Sequence, residues 1–408
     1  MRASPALARV KAGQLCAGCG LCAGVSQGAV RMREQSPGYA RPEQTAPLPP
    51  GAERMIATAC PGLKTAPWRE TGREDIPVDP YWGPWLRCLT GHSPDPEIRH
   101  RGSSGGALSA LAIHALETGR ISRVVHTGTD PRRATRNVTL ISTTREEILA
   151  GAGSRYAASS PLAEMESLLA DGRPALFIGK PCDVSALRQL ARLDTRVDRV
   201  FAYMLSFFCG GIPSHAGTDR IIGAMGLDPA RIVRFRYRGE GWPGLTKAED
   251  SEGRTGEMLY EESWGGHLSR EVQFRCKICP DAVGGVADIA CADAWYGGES
   301  GYPQFEESDG RSLIMSRSAA GEALLDSALA AGAISAESLP IGEVALMQPS
   351  QARRKRRVAA RVAACRVLLS PTPEMRGMAL MQATRREAPA GLLRDFLGTM
   401  RRIILGQR

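Results

Sequence analysis

The sequence predicts a mixed α/β protein in which a small cysteine-rich module precedes a larger α/β domain and a basic helical tail. Cysteine and glycine are concentrated in residues 1–62. From residue 101 onward, short apolar strands alternate with helical segments, which is the pattern of α/β domains. Residues 351–408 hold fourteen Lys/Arg against three Asp/Glu. We expect a module over 1–62, a linker over 63–100, the main domain over 101–340 and the tail over 341–408.

The elements of the main domain follow from local patterns. RGSSGGALSALAIHALETGRI is a Ser/Gly loop that leads into a helix with apolar spacing, and VVHTG and NVTLIST are strands. TREEILAGAG and PLAEMESLLADG are helices, whereas PALFIG and AYMLSFFCG are strands that are each followed by a helix. IVRFRYRG and residues 247–260 predict antiparallel strands. VADIACADAW and SLIMSRS then return to the core, and residues 319–333 form a helix.

Composition limits the kind of protein. Of 408 residues, 43% are hydrophobic and 23% charged, which is typical of a globular protein with a large core. No run approaches about 18 apolar residues, and the N-terminus lacks a stretch typical of a secretory signal. We therefore expect a cytoplasmic protein. In that reducing compartment, clustered cysteines are better explained as metal ligands or redox groups than as disulfides, and the chain has eleven cysteines.

The net charge of +9 belongs to the tail, because the preceding residues are slightly acidic in total. A nucleic-acid enzyme would more often place basic and aromatic residues around its central sites, and no such pattern is present. With 5% aromatic residues, no stacking pattern marks a ligand pocket either. The sequence therefore argues against a nucleic-acid partner and leaves the substrate unidentified.

The first cysteine group is Cys16, Cys19 and Cys22 in CAGCGLC, with Cys60 of a Cys-Pro pair as the fourth member. The C-x2-C-x2-C spacing opens the bacterial ferredoxin run, whose thiolates bind a 4Fe–4S cluster. Ser26 stands where the full run has a further Cys, so the module is reduced to one cluster. A four-thiolate zinc site is the alternative, although zinc sites usually pair two C-x2-C units.

A second group combines Cys182, Cys209, Cys276 and Cys279. Cys182 and Cys209 each follow an apolar strand, so in a parallel sheet both lie at the carboxyl edge, where ligand sites gather. RCKICPD supplies the other two thiols for a second 4Fe–4S cluster. Singly, Cys182 and Cys209 could be buried hydrophobes, or Cys182 a low-pKa thiol. Three cysteines without partners at ligand spacing are expected to be buried thiols: Cys88, Cys291 and Cys365.

The loop RGSSGGALSAL favours an anion. Backbone amides at the start of a helix favour a phosphate, and Gly105 and Gly106 would let a dinucleotide pyrophosphate approach the backbone. Ser103 or Ser104 could cap the helix or bond the phosphate. A Ser-capped helix without a ligand is an equal alternative.

The order CxxCxxC, SSGGALSAL, GSRY, GKPCDVSALR, FFCGGIPS and CKICPDAVGGVADIACADAW resembles the beta-subunit family of coenzyme F-420 hydrogenases and dehydrogenases. That family includes 7-hydroxymethyl chlorophyll a reductase and a ferredoxin-dependent divinyl chlorophyllide 8-vinyl reductase. The resemblance extends from about Cys16 to about Ser318. It implies FAD, one or two 4Fe–4S clusters, and electrons that enter through the ferredoxin-like module.

By position, the resemblance implies a flavin-binding domain and maps its flavin region onto ten residues. Lys180 stands where many relatives have an uncharged residue before Pro-Cys. Its ammonium would favour the anionic reduced flavin or the thiolates, so it is our catalytic candidate, with a surface ion pair as the alternative. Ser26 and Cys291 depart from the family pattern. The ten flavin candidates are Ser103, Ser104, Gly105, Gly106, Gly153, Ser154, Arg155, Tyr156, Asp288 and Asp293.

The resulting hypothesis is a flavin-dependent iron–sulfur oxidoreductase that passes electrons from a ferredoxin-like donor through the clusters to FAD. Its substrate would be coenzyme F-420-like, tetrapyrrole-like or undescribed. The alternatives are an electron-transfer subunit of a larger dehydrogenase, or a scaffold without activity. At the end of the chain, LLRDFLGTMRRIILG is an amphipathic basic helix. It would pack on the protein's own core, or dock an acidic ferredoxin or an anionic membrane surface.

Overall fold

The computed structural model describes residues 3–68, 70, 75–297 and 306–407. The strands are β1 Val30–Gln35, β2 Tyr39–Gln44, β3 Val78–Asp79, β4 Gly83–Pro84, β5 Arg87–His92, β6 Arg123–Asp130, β7 Arg133–Ser142, β8 Ala175–Gly179, β9 Phe201–Phe207, β10 Ile232–Arg236, β11 Thr246–Asp250, β12 Thr255–Met258, β13 Ile289–Asp293, β14 Ser312–Ser316 and β15 Ser335–Ser338. The α-helices are α1 Pro5–Ala12, α2 Leu21–Gly24, α3 Ala52–Ala59, α4 Pro96–Arg101, α5 Ala107–Glu117, α6 Arg145–Ala150, α7 Met165–Asp171, α8 Pro181–Ala191, α9 Arg196–Val200, α10 His215–Ala224, α11 Phe274–Lys277, α12 Ala319–Ala330, α13 Val344–Met347, α14 Pro349–Val367, α15 Leu380–Thr384 and α16 Pro389–Ile404. Short 3₁₀ helices lie at Pro229–Arg231, Leu268–Glu271 and Ile341–Glu343, and a π-helix at Glu261–His267.

The main sheet has eight strands in the order β15-β5-β14-β13-β9-β8-β6-β7. The four central strands β13, β9, β8 and β6 are parallel, and the flanking pairs are antiparallel. The prediction of a mixed α/β fold is therefore confirmed. Because the central strands run in one direction, their carboxyl ends lie along one edge of the sheet, which is where ligand sites form in α/β proteins.

Helices cover both faces of this sheet. Val124 and Leu176 join the core under α5 and α12, whereas the next residues, Val125 and Phe177, join the core under α7, α8 and α9. Side chains of successive strand residues point to opposite faces, so a strand that is covered on both faces needs apolar residues throughout. This is why PALFIG and AYMLSFF are continuous apolar runs.

The N-terminal module consists of α1, α2, the antiparallel hairpin β1–β2 and α3. It packs on the main domain, since α3 contacts α8 and the Leu162 amide donates to the Cys19 carbonyl at 3.0 Å. Ser26 is fully buried, and its hydroxyl accepts from the Val30 amide at 2.9 Å and donates to the Ala23 carbonyl at 3.0 Å. Ser26 therefore stabilises the turn at the position where a ferredoxin run has a further cysteine.

A second antiparallel sheet, β10–β11–β12, lies beside β7 and confirms the strands predicted after Ile232. The region predicted as a linker differs, because its residues 87–92 form β5 between β14 and β15. β5 is short and lies among Pro and Trp residues, so its sequence carries little strand periodicity. Within the described residues, no helix is long and apolar enough to cross a membrane.

The basic tail is largely part of the folded core. On α14, Val358, Val362 and Cys365 pack with Val10 and Leu15 of the N-terminal module. α14, in the C-terminal part of the chain, thus packs directly on the N-terminal module. α16 lies along α14, and it is described with its surface below.

Candidate cofactor site

The four cysteines predicted for the N-terminal group come together. Burial and then the neighbouring thiols Cys16 and Cys60 raise the pKa of Cys22, and burial with Cys16 raises that of Cys60 to about 11. The pKa of Cys19 is raised in the same way, by burial and then by Cys60. Gly18 adopts φ +78°, a conformation that suits glycine, and its amide points to the Cys16 Sγ at 3.3 Å. The four thiols are thus close enough to interact electrostatically, and one loop amide lies beside the Cys16 sulfur.

The second group also comes together, from three distant segments. Cys182 lies in the first turn of α8 after β8, Cys209 follows β9, and Cys276 and Cys279 lie at α11. Burial and then Cys276 raise the pKa of Cys209 to about 12, and Cys182 interacts with both of these thiols. The Gly211 amide points to the Cys209 Sγ at 3.4 Å. The expectation that Cys182 and Cys209 share the carboxyl edge of the sheet is met by the parallel pairing of β8 and β9.

In the described ranges, no group of three or more His, Cys, Asp or Glu side chains is placed to hold a metal ion. Each cysteine group nevertheless offers four sulfurs, the ligand set of a 4Fe–4S cluster. Burial disfavours the thiolate and raises the pKa of several of these thiols, among them Cys19, Cys182 and Cys209. The donor chemistry of both groups therefore fits a cluster, which binds thiolates.

Lys180 lies between the two cysteine groups. Its Nζ donates to Asp183 Oδ2 at 2.7 Å and to Ser159 Oγ at 2.8 Å, and the side chain is 6% exposed. Burial opposes the charged form, but the Asp183 carboxylate and then the Cys182 and Cys19 thiols outweigh it, so the pKa of Lys180 is raised above its usual range. Lys180 thus forms the ion pair that was the alternative, but the pair is buried and does not lie at the surface.

Arg275 forms a second cationic link between the groups. Its guanidinium is buried and donates to the Pro61 carbonyl, next to Cys60, at 2.8 Å. Burial raises the pKa of Cys60 and of Cys279, and the Arg275 charge acts in the opposite direction on both. The two groups are thus neighbours within one protein interior, with a fixed positive charge beside each.

A cavity of about 530 Å³ opens at the carboxyl ends of β8, β9 and β13. Its size lies within the range of about 300–1,000 Å³ found for small-molecule sites. Cys209 of the second group is one of its wall residues. Eight of the ten flavin candidates and Lys180 also line it: Ser103, Ser104, Gly106, Gly153, Ser154, Arg155, Tyr156 and Asp293.

Two of the candidate segments meet at the cavity wall. The Ser103 and Ser154 hydroxyls, from the SSGG loop and from GSRY, lie 2.6 Å apart in a hydrogen bond. Gly105 instead faces protein, since a Cβ there would lie 2.7 Å from the Gly91 carbonyl and 2.8 Å from the Ser312 amide. The structure thus gives Gly105 a packing role between β5 and β14, while Ser103 and Ser154 remain at the cavity.

Asp288 and Asp293 lie at opposite ends of β13. Asp288 accepts from Arg188 at 2.7 Å, from the Ser318 hydroxyl at 2.6 Å and from the Met204 amide at 2.7 Å. These buried contacts occupy its carboxylate at the amino end of the strand, so the structure does not bring Asp288 to the cavity. It links the sheet to α8 and to the start of α12.

Asp293 fixes an arginine that the sequence did not single out. Its two oxygens accept from Arg238 Nη1 and Nη2 at 2.8 and 2.7 Å, and the Arg238 Nε donates to the Pro243 carbonyl at 2.7 Å. The guanidinium also lies 4.5 Å from the ring centre of Tyr260 and 4.8 Å from that of Trp295. A rigid cation thus lines the cavity.

Arg155 and Tyr156 stabilise the wall in different ways. The Arg155 guanidinium donates to the Ala134 and Arg136 carbonyls and to Asn137, so it joins the loop to β7. The Tyr156 ring packs 4.7 Å from that of Trp264. Although the sequence has few aromatic residues, aromatic rings form part of the cavity wall. These rings come from separate segments of the chain, so no spacing in the sequence could have identified them.

The start of α14 forms another wall that the sequence did not predict. Arg354 lines the cavity and donates to the carbonyls of Cys209, at 3.0 Å, and Gly210. Lys355 donates to the Pro280 carbonyl at 2.7 Å, next to Cys279. Two residues of the basic run Arg353–Arg357 thus form hydrogen bonds inside the protein, beside the second cysteine group.

The remaining three cysteines are buried, as predicted for isolated thiols: Cys88, Cys291 and Cys365. Cys291 lies on β13 and also lines the cavity.

A mixed sheet with a cavity and thiol groups at the carboxyl ends of its parallel strands defines an α/β protein with its ligand site at the usual edge of the sheet. Two family models match the chain, and both describe the beta subunit of coenzyme F420 hydrogenase/dehydrogenase. The model of its N-terminal part matches residues 88–166, and the model of its C-terminal part matches residues 172–341. The chain belongs to this beta-subunit family. The N-terminal cysteine group and helices α14–α16 lie outside the matched ranges.

Similar proteins carry related names. Coenzyme F420 hydrogenase subunit beta of Methanosarcina barkeri is 26% identical over 279 residues, 65% of this chain and 86% of that protein. The same protein of Methanothermobacter thermautotrophicus is 24% identical over 302 residues, 71% and 99% of the two chains. F420-dependent formate dehydrogenase 1 subunit beta of Methanococcus maripaludis is 31% identical over 204 residues, 49% and 50% of the two.

A solved structure supports the fold. A chain of the F420-reducing [NiFe] hydrogenase complex of Methanosarcina barkeri superimposes with a TM-score of 0.53 at 20% identity. The match covers 70% of this chain and 96% of that one.

Proposed function

We propose that this protein is a flavin-dependent iron–sulfur oxidoreductase with two 4Fe–4S clusters, FAD and a small-molecule substrate of the coenzyme F420 or tetrapyrrole type. The proposal rests on the proximity of the two cysteine groups to each other and to the cavity. Lys180 interacts electrostatically with Cys19 of the first group and Cys182 of the second, and Cys209 of the second group also lines the cavity. A ferredoxin-like donor would supply single electrons at the N-terminal group.

The chain offers residues for each cofactor. Cys16, Cys19, Cys22 and Cys60 would hold one cluster, and Cys182, Cys209, Cys276 and Cys279 the other. The loop before α5 would hold the FAD pyrophosphate, since the start of a helix favours anions. When bound, the clusters carry single electrons and the flavin converts single-electron transfer into hydride transfer.

Charged side chains at the cavity would orient the reactants. The Lys180 ammonium cannot easily lose its proton, because Asp183 holds it, so it supplies a permanent positive charge beside the thiols. Arg238 is held by Asp293 and by two aromatic rings, so its charge is also fixed in place. Both cations favour electron-rich groups in the cavity.

The aromatic wall would support a planar ring system. Tyr156 and Trp264 pack together on one part of the cavity, and Trp295 lies beside Arg238. Aromatic rings bind other flat rings by offset stacking. An isoalloxazine ring, or a conjugated substrate next to it, fits this surface chemistry.

A second candidate is an electron-transfer subunit of a larger complex with no organic substrate of its own. The relatives favour it, because they are named as subunits of hydrogenases and formate dehydrogenases. The isolated chain distinguishes the two. If it reduces coenzyme F420 or a tetrapyrrole with a one-electron donor alone, it is an enzyme in its own right.

The cofactor test uses anaerobically purified protein. We expect FAD and about eight iron atoms per chain, without zinc, since each cluster holds four. Cys209→Ala should remove about four of these iron atoms and stop reduction of the flavin by the donor. Cys88→Ala is the matched control, since Cys88 is buried outside both groups. Stoichiometric zinc, or an unchanged iron content in Cys209→Ala, would contradict the proposal.

A further inference from the structure

The final helix, α16, presents its apolar side chains to solvent. Leu393 is 58% exposed, Leu397 53% and Ile404 68%. Residues four and eleven positions apart lie on the same face of a helix, so these side chains form one stripe. Solvent-exposed apolar stripes of this kind mark sites of interaction with another surface.

The face that α16 turns toward the protein carries both polar and apolar side chains. Asp395 accepts from Arg357 at 3.1 Å and from Arg361 at 2.9 Å, both on α14. Thr399, one turn further on, is 1% exposed. These partly buried ion pairs fix the rotation of α16 about its axis. Ile403 also packs against the core cluster that contains Val358 and Val362. α16 therefore buries one edge of its apolar face and leaves the edge with Leu393, Leu397 and Ile404 in solvent.

The charges beside the apolar stripe are positive. Arg394 and Arg401 are exposed and lie next to it on the helix. The two carboxylates of the region, Glu387 and Asp395, are each paired with arginines of α14. The outward side of α16 thus combines leucine and isoleucine with arginine and leaves its carboxylates neutralised within the protein.

We propose that α16 docks on an anionic lipid membrane surface and lies in the plane of the interface. Its 16 residues span about 24 Å, long enough for the stripe to enter the acyl boundary along its length. The flanking arginines would meet lipid phosphates, which is the charge complementarity that an anionic leaflet offers.

The test is co-sedimentation of the purified holoprotein with vesicles. We expect binding to vesicles of phosphatidylcholine with phosphatidylglycerol, and little binding to phosphatidylcholine alone. Salt at about 1 M, which shortens the screening length to about 3 Å, should weaken it. Leu393→Gln/Leu397→Gln should bind at least about tenfold less, because burial of leucine drives insertion. Ile141→Gln/Val233→Gln is the matched control, since both residues are about half exposed elsewhere (50% and 52%).

Three results would overturn the proposal. If the wild-type protein does not bind anionic vesicles, docking is ruled out. If it binds neutral vesicles equally well, the proposed role of the arginines is ruled out. If the wild type instead forms a larger assembly in gel filtration that Leu393→Gln/Leu397→Gln dissociates, the stripe is a protein interface. FAD and iron content of the variant, unchanged from wild type, confirms that the fold is intact.

Discussion

Replacement of Lys180 by methionine tests the buried ion pair between the cysteine groups. Asp183 is 1% exposed at its side chain, and without Lys180 its carboxylate keeps only the backbone amide of residue 180, at 3.0 Å, as a hydrogen-bond donor. Removal of one partner of a buried pair leaves an uncompensated charge and costs about 3–5 kcal/mol. We expect Lys180→Met to lower the free energy of unfolding by that amount.

The assay is urea unfolding followed by circular dichroism, on samples matched for iron content. Lys180→Met/Asp183→Asn should recover more than half of the loss, because neither charge remains. Arg234→Met is the control for an ordinary pair: Arg234 bonds Glu249 at 3.1 Å but is 78% exposed, so its loss should cost about 1 kcal/mol or less. If Lys180→Met is as mild as Arg234→Met, or if the double variant recovers nothing, the charge of Lys180 does not compensate that of Asp183.

Three further predictions concern single residues. Cys19→Ala should lower iron by about four atoms per chain and leave FAD bound, as measured by metal analysis and absorbance. Gly105→Ala should destabilise the protein by about 1–3 kcal/mol, because its Cβ would meet backbone atoms at 2.7 and 2.8 Å, whereas Gly223→Ala, with open space around it, should not. Burial lowers the pKa of His126 to about 4, so the unfolded state binds the extra proton below about pH 6.5. Wild type should therefore lose about 2 kcal/mol more than His126→Gln between about pH 7 and 5 in urea unfolding, and equal losses would refute this.

The parts of the fold that the sequence predicted are those with a local signal. PALFIG became β8 because a doubly covered parallel strand is apolar throughout, and CxxCxxC gathered its thiols because the spacing itself bends the loop. The strand β5 escaped prediction, since its place in the sheet depends on partners more than 200 residues away in the chain. β5 forms a strand because β14 and β15 pair with it, as much as because of its own residues.

The cavity could be predicted only in part, because it is built from residues of separate segments. Asp288 and Asp293 occur in one motif, yet they lie at opposite ends of a strand, about 16 Å apart at 3.3 Å per residue. Arg238 and Trp295 carry no signal until β13 brings them together. For α16, the sequence shows the apolar stripe, but only the pairing of Asp395 with Arg357 decides which face points outward.

The arrangement of the second cysteine group has a consequence for biogenesis. Its thiols are spread from Cys182 to Cys279, and the helix that closes it begins only at Pro349. During synthesis, the nucleation of this group must therefore wait until most of the chain has left the ribosome. Arg354 and Lys355 then seal it from outside. If this group holds the proposed cluster, the cluster would have to be inserted before α14 docks over it.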